Sequence, residues 1–274
     1  MTDARALARA YLEQQRVLGT DQVVLPADGR TPAAAPALRP GSVESDLQPM
    51  SLTPGVSPGI SGGSSADAPL PPSGVSYDPP AGDLFTKDPL REAGTLAGVA
   101  ELVAECRKCR LCEARQHTVP GEGPADARLV VVGEGPGRTE DETGRPFVGQ
   151  AGDLLTKILA AIDLPRERVY ICNIVKCRPP ENRTPQFDEI AACLPYLHRQ
   201  IELVGPKVIL AMGGTAAQAL LNTKSSLGGM RNLIHRFRGT PVVVTYHPAA
   251  LLRNPNWKKP TWDDVRIARR LLDA

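Results

Sequence analysis

No stretch of this chain approaches the ~20 successive apolar residues of a bilayer-spanning helix. Its start, Met1-Thr2-Asp3-Ala4-Arg5, lacks the basic-then-apolar layout of a secretory leader. The expectation is a cytosolic protein with no membrane segment. Net charge is nearly absent too, at +2. Aromatic residues make up only 4% and are thinnest where proline is densest: between Pro26 and Pro80 lie twelve of the 27 prolines, Gly62-Gly63-Ser64-Ser65 and one aromatic, Tyr77. Such a stretch has little apolar surface to offset the entropy of ordering. Residues 20–92 are therefore expected to be a disordered, Pro/Ala/Gly/Ser-rich linker. Ahead of it, in segment 1–19, Leu7, Tyr11 and Leu18 share one face of a short amphipathic helix stopped by Gly19, a face suited to docking on a protein partner.

Residues 93–274 carry every cysteine and most of the aromatics, and are long enough to bury a core of their own. The near-neutral total hides an asymmetry. Residues 1–92 hold 7 Lys/Arg against 11 Asp/Glu, whereas Lys224 to the C-terminus holds ten basic against three acidic residues, a balance that suits a polyanion partner.

Four short, β-branched runs stand out in this domain: Leu129-Val130-Val131-Val132, Val169-Tyr170-Ile171-Cys172, Val208-Ile209-Leu210-Ala211 and Val242-Val243-Val244-Thr245-Tyr246. Continuous rather than alternating, they read as strands buried on both faces. Helical patterns at 150–162, 186–204 and 214–222 separate them, and a last helix is expected to open at Thr261, with Asp264 three residues on. The expected fold is a three-layer α/β/α sandwich around a mostly parallel four-stranded sheet.

Open α/β sheets bind ligands beyond the carboxyl ends of their strands. The four runs lead, in order, into Gly133-Glu134-Gly135-Pro136-Gly137, Asn173, Gly213-Gly214-Thr215 and His247-Pro248. The first cluster is not a phosphate loop, because it has neither G-x-G-x-x-G spacing nor a following Gly-Lys-Ser/Thr. Its alternate glycines, Gly135 among them, let the backbone lie against a flat ligand, while Glu134 and Glu140 can hold water or meet developing positive charge. Phe147, in a Gly/Pro-rich loop, is a candidate stacking platform for a base, the alternative being a loop aromatic folded back on the core. The Asn173 amide both donates and accepts, as a pyrimidine edge requires, and the His247 imidazole can hydrogen-bond a departing base.

The cysteines form a second constellation. Cys106, Cys109 and Cys112 are spaced x-x before the first strand, and Cys177 and Cys193 come after the second. Four thiolates suit zinc or an iron–sulfur cluster, and spacing does not choose between them or say which of the first three are used. Cys172, inside a buried strand, reads as a core residue.

Together these residues resemble the family 4 uracil-DNA glycosylases. The resemblance runs through Cys-x-x-Cys-Arg-Leu, Gly-Glu-Gly-Pro-Gly-x-x-Glu-Asp at 133–141, Gly-Arg-Pro-Phe-Val-Gly at 144–149, Asn-Ile-Val-Lys-Cys-Arg-Pro-Pro-Glu-Asn-Arg at 173–183 and His-Pro-Ala-Ala-Leu-Leu-Arg-Asn-Pro at 247–255. It implies a hydrolase releasing uracil from single- or double-stranded DNA by base flipping, acting as a monomer and leaving an abasic site. It also implies a [4Fe–4S] cluster on Cys106, Cys109, Cys177 and Cys193, with Cys112 spare. By the same likeness Phe147 stacks on the everted uracil, Asn173 reads its N3–H and O4 edge, His247 donates to O2, Glu134 assists the hydrolytic water and Glu140 stands where thymine's methyl group is excluded. The basic segment around Arg231, His235 and Arg236, and Arg253 further on, are expected to meet DNA phosphates, with an apolar side chain filling the gap in the stack. The short Arg178–Thr184 stretch leaves no room for the histidine-bearing insert of a related branch that traps DNA covalently, so turnover is expected.

Overall fold

The computed structural model describes residues 69–80 and 88–274. The described residues form one six-stranded sheet in the order β1-β5-β6-β4-β2-β3. Its strands are β1 (Ser73–Tyr77), β2 (Leu129–Gly133), β3 (Val169–Asn173), β4 (Val208–Met212), β5 (Ile234–Phe237) and β6 (Thr240–Thr245). The four anticipated strands are β2, β3, β4 and β6, joined in parallel.

The two faces of these strands explain why their sequences do not alternate in polarity. Leu129, Val131, Ile171, Leu210 and Val243 point to one core, shared with α4 (Gln150–Ala160) and α9 (Lys258–Asp273). Val130, Val132, Cys172, Ile209, Ala211, Val242 and Val244 point to the other, shared with α5 (Phe187–Val204) and α6 (Gly214–Leu221). Helices on both faces leave no wet side, so the central positions of each strand are apolar whichever way they point. Cys172 is fully buried, as a core residue should be.

Three expectations need correction. The sheet has six strands rather than four, because β5 pairs antiparallel with β6 and β1 pairs in parallel with β5. The linker assigned to 20–92 is structured at β1 and again at α1 (Pro89–Glu92). Its Val75 and Tyr77 pack on the second core, and Pro72, just ahead of β1, accepts from Ile234 N–H, while its lack of an N–H is tolerated at the sheet edge. The rest of that linker, and the helix expected in 1–19, lie outside the described residues. Finally, α9 opens at Lys258 rather than at Thr261, whose hydroxyl bonds back to the Trp257 carbonyl inside the first turn. A third apolar cluster joins α1 and α2 (Leu96–Ala104) to the outer side of α5 through Leu90, Val99, Val103 and Tyr196, and takes in Cys177 and Cys193.

Candidate active site

The carboxyl ends of β2, β3 and β6 open onto a cleft of about 370 Å³. Its walls come from the loop after β2 (Glu134, Gly135, Gly137), from Glu140 in α3 (Arg138–Thr143) and from Phe147. Asn173 at the end of β3 contributes, with Asn182 and Arg183 beyond it, and after β6 come His247 and Arg253. Gly213-Gly214-Thr215 is not among them, contrary to expectation. Gly213 turns the chain at φ 95° beneath His247, close enough that a β-carbon would touch the histidine's own. It supports the wall instead of forming it.

Asn173 ends β3 and is 1% exposed, and its Oδ1 is buried with no hydrogen-bond partner in the protein. An unpaired buried acceptor costs about 1–3 kcal/mol, so the site is built for a donor that arrives with a ligand. Gly133 makes this possible, since a β-carbon there would collide with both Asn173 Oδ1 and the Phe147 ring. Phe147 lies 5.5 Å from the His247 ring, centroid to centroid, and belongs to the first core as well as to the cleft. Its backbone holds φ 52°, a strained value for a side chain of this size, and Arg166 fixes it by donating to the Phe147 carbonyl at 2.9 Å and the Pro146 carbonyl at 2.6 Å. Glu122 in turn pairs with Arg166 and Arg145.

The carboxylate of Glu140 ties two walls together. It accepts from Gly137 N–H at 3.1 Å and from Val148 and Gly149 N–H at 2.9 and 2.8 Å. His247 caps α8 (Pro248–Arg253) by accepting from Ala249 N–H at Nδ1, which leaves the ring proton on Nε2. Burial, with Arg253 nearby, pushes its pKa down to about 4, so the ring is a neutral donor at pH 7.

A second cavity opens between α2, the segment 106–115 and α5. Cys106, Cys109, Cys112, Cys177 and Cys193 all line it, with Arg115, Lys176 and Tyr196. Two thiols already receive donors: Arg115 at 3.2 Å from Cys177 Sγ and Lys176 N–H at 3.3 Å from Cys193 Sγ. Among the described residues no three His, Cys, Asp or Glu side chains close on a single-ion site.

The uracil DNA glycosylase superfamily matches residues 120–267. A type-4 uracil-DNA glycosylase of Thermotoga maritima is 49% identical over 173 residues, 62% of this chain and 88% of its own length. The chain belongs to the type-4 uracil-DNA glycosylases. A type-4 relative in Sulfurisphaera tokodaii is 43% identical over 186 residues, 65% of this chain and 84% of that protein. A type-5 uracil-DNA glycosylase of Pyrobaculum aerophilum is more distant, at 31% over 150 residues, 48% of this chain and 66% of its own.

Of the residues singled out in this type-4 sequence, Glu134, Gly135, Glu140, Phe147, Asn173, His247 and Arg253 meet in one cleft. Arg231 and His235 do not, and their expected role on phosphates is withdrawn. Arg231 is locked in a bidentate pair with the buried Asp264. His235 is 1% exposed on β5, bonded to Val75 N–H and the Met230 carbonyl. Arg236 is exposed but turns to the Gly239 carbonyl. An exposed apolar side chain, Leu252, immediately precedes the cleft residue Arg253 in the chain. Arg166, Glu122 and Arg183 carried no periodic signal, and only Arg183 lay inside a recognised motif.

Three buried groups set an acid limit on stability. His247 and His198 are both held at about 4 by burial, below their ordinary value near 6.5, so the unfolded chain binds more protons between these values. Their contribution is full above pH 6.5 and is lost as pH falls toward 4. Glu189, paired with Arg183 and Arg110 inside α5, is held down to about 2, so its contribution is present above ~4.5 and lost between there and 2. The melting temperature is expected to fall in two stages, from pH 7 to 4 and again below 4. A flat curve from pH 7 to 4.5 contradicts the histidine assignment.

Proposed function

We propose that this chain hydrolyses the N-glycosidic bond of deoxyuridine in DNA, releasing uracil and leaving an uncut abasic strand. The observation that carries the proposal is the orphaned Oδ1 of Asn173, facing a cleft shared with Phe147 and with a neutral His247. Uracil supplies the missing donor at N3, where cytosine has an acceptor. The target nucleotide is everted from the duplex at a cost of a few kcal/mol, repaid by stacking on Phe147 and by edge contacts. Asn173 accepts from N3–H and donates to O4. The bond from C1′ to N1 breaks with its electron pair passing to the base, and His247 Nε2–H donates to the O2 that gains this charge. Water held by Glu134 adds to C1′, and its proton leaves to the carboxylate. Arg253, which lines the cleft, suits a DNA phosphate, whereas Arg183 is held in a bidentate pair with the buried Glu189, and Leu252 suits the gap left in the stack.

No lysine lines the cleft among the described residues, which supports water as the nucleophile and a monofunctional outcome. Cys106, Cys109, Cys177 and Cys193 are assigned to a [4Fe–4S] cluster. Five thiols ring a cavity without converging on one point, and two already accept N–H bonds, as ligand sulfurs do. Bound there, the cluster would cross-link the segment 106–112, the loop after β3 and α5, and would supply no chemical step. The purified protein is to be incubated with a uracil-containing oligonucleotide and then treated with alkali. Scission at uracil is expected, together with a brown colour and broad absorption near ~400 nm. A folded, coloured sample that leaves deoxyuridine intact overturns the proposal, and a colourless active one overturns the cluster alone.

A further inference from the structure

Lys176 is among the most completely enclosed large side chains in the protein, at 1% exposure, and no carboxylate among the described residues pairs with it. Buried lysines are rare, and a methionine of similar length would fill the space without desolvating an amine. What the amine does instead is specific. Nζ donates to the backbone carbonyl of Asn173 at 2.8 Å and to Gln200 Oε1 at 2.6 Å, and Gln200 Nε2 donates on to the Pro120 carbonyl at 2.7 Å. The Lys176 main-chain N–H meets Cys193 Sγ, and the residue lines the cysteine cavity. One residue therefore touches the last carbonyl of β3 with its side chain and the cysteine cavity with its backbone.

We infer that Lys176 is a positioning residue for uracil recognition: its buried amine pins the main chain of Asn173, so that the orphaned Oδ1 is held at the cleft, and anchors that strand end to α5 and the cysteine cavity. The inference rests on the reading of the cleft as a uracil pocket. Asn173 pairs with Gly133 at the very end of β3, and β3 is the edge strand, so among the described residues no further strand fixes its carbonyl from the other side. Without the amine, the Asn173 carbonyl and Gln200 Oε1 are both left buried and unpaired, and the peptide is free to rotate toward any other donor. A small rotation there displaces the amide that must meet N3–H and O4 together.

The test is a binding measurement on the whole, cluster-loaded protein, using two duplexes. One carries an uncleavable 2′-fluoro-deoxyuridine and the other an abasic-site analogue at the same position. In K176M the affinity for the uridine duplex is expected to fall by about tenfold, while the abasic duplex binds within about threefold and the absorbance per chain is retained. A merely structural lysine would not discriminate between the two duplexes. The decisive arm is the cycle with Asn173→Ala: if Lys176 acts through Asn173, K176M changes uridine affinity by less than about twofold in that background. An equal loss in both backgrounds overturns the inference, as does unchanged uridine affinity in K176M. Should K176M not fold, Q200L, which removes one acceptor and leaves the amine in place, is expected to give a smaller loss with the same dependence on Asn173, and its absence counts equally against the inference. A parent protein that binds both duplexes alike refutes the uracil pocket itself, a result distinct from any of these.

Discussion

Asn173→Asp is expected to slow uracil excision by about 100-fold or more and to bring the rates on uracil and cytosine closer together. The side chain is buried beside the cleft, and its oxygen is enclosed without a partner in the protein. In the parent, that oxygen accepts from N3–H while the amide nitrogen donates to O4. The aspartate keeps the first contact and replaces the second donor with another acceptor, so O4 meets an oxygen where the parent supplies a donor. Loss of one donor to a buried acceptor costs about 1–3 kcal/mol, and the added charge costs more, which at 1.4 kcal/mol per decade gives two to three orders of magnitude. For cytosine the change runs the other way. Its exocyclic amine finds the new acceptor, and a protonated carboxyl can donate to its ring nitrogen. Single-turnover rates on matched uracil and cytosine oligonucleotides measure both effects. Retention of the parent's selectivity would remove Asn173 from the edge-reading role, whatever happened to the rate.

The residues that proved easiest to read from sequence are those whose environment is local. Val130, Val131 and Val132 announce a strand covered on both faces because each must be apolar whichever way it points, and the residues just past the end of such a strand fall on the rim by topology. Glu134, Asn173 and His247 were legible for that reason. β1 was not. Ser73-Gly74-Val75-Ser76-Tyr77 sits among prolines, and its pairing with β5, 160 residues away, depends on backbone hydrogen bonds that leave no trace in composition. The same remoteness misled the reading of Arg231 and His235. Their basic character suited phosphate contacts, but Asp264, 33 residues on, and Val75 had already claimed them. Glu140 shows a subtler limit. Its place beside the cleft was legible, whereas its work as an acceptor for three backbone N–H groups comes from the approach of two loops that sequence does not bring together.

His247→Ala is expected to lower the rate of base release by about 100- to 1000-fold, in line with removal of one donor to a developing oxyanion, with a much smaller effect on affinity for abasic DNA. The distinction depends on when the contact matters. In the ground state O2 is a neutral carbonyl with a weak demand for a donor. As the glycosidic bond breaks, negative charge collects there, and the Nε2–H bond strengthens with it. Alanine also removes the cap on α8, so His247→Asn, whose side-chain oxygen can accept from Ala249 N–H, separates the two roles. It should recover stability while recovering little rate, because its shorter side chain leaves the donor far from O2. The protonation state provides an independent check. With a pKa near 4 the imidazole is neutral throughout the useful range, and its proton stays on Nε2 because Nδ1 is occupied as an acceptor. A cationic donor would lose its proton, and the enzyme its rate, as pH rose through 6 to 7. A neutral donor gives no such inflection between pH 5 and 8. The single-turnover profile of the parent should therefore be parallel to that of His247→Asn across this window. An inflection near pH 6.5 present in the parent and missing from the variant would assign the imidazolium form, and the burial that keeps the ring neutral would have to be abandoned as the source of its chemistry.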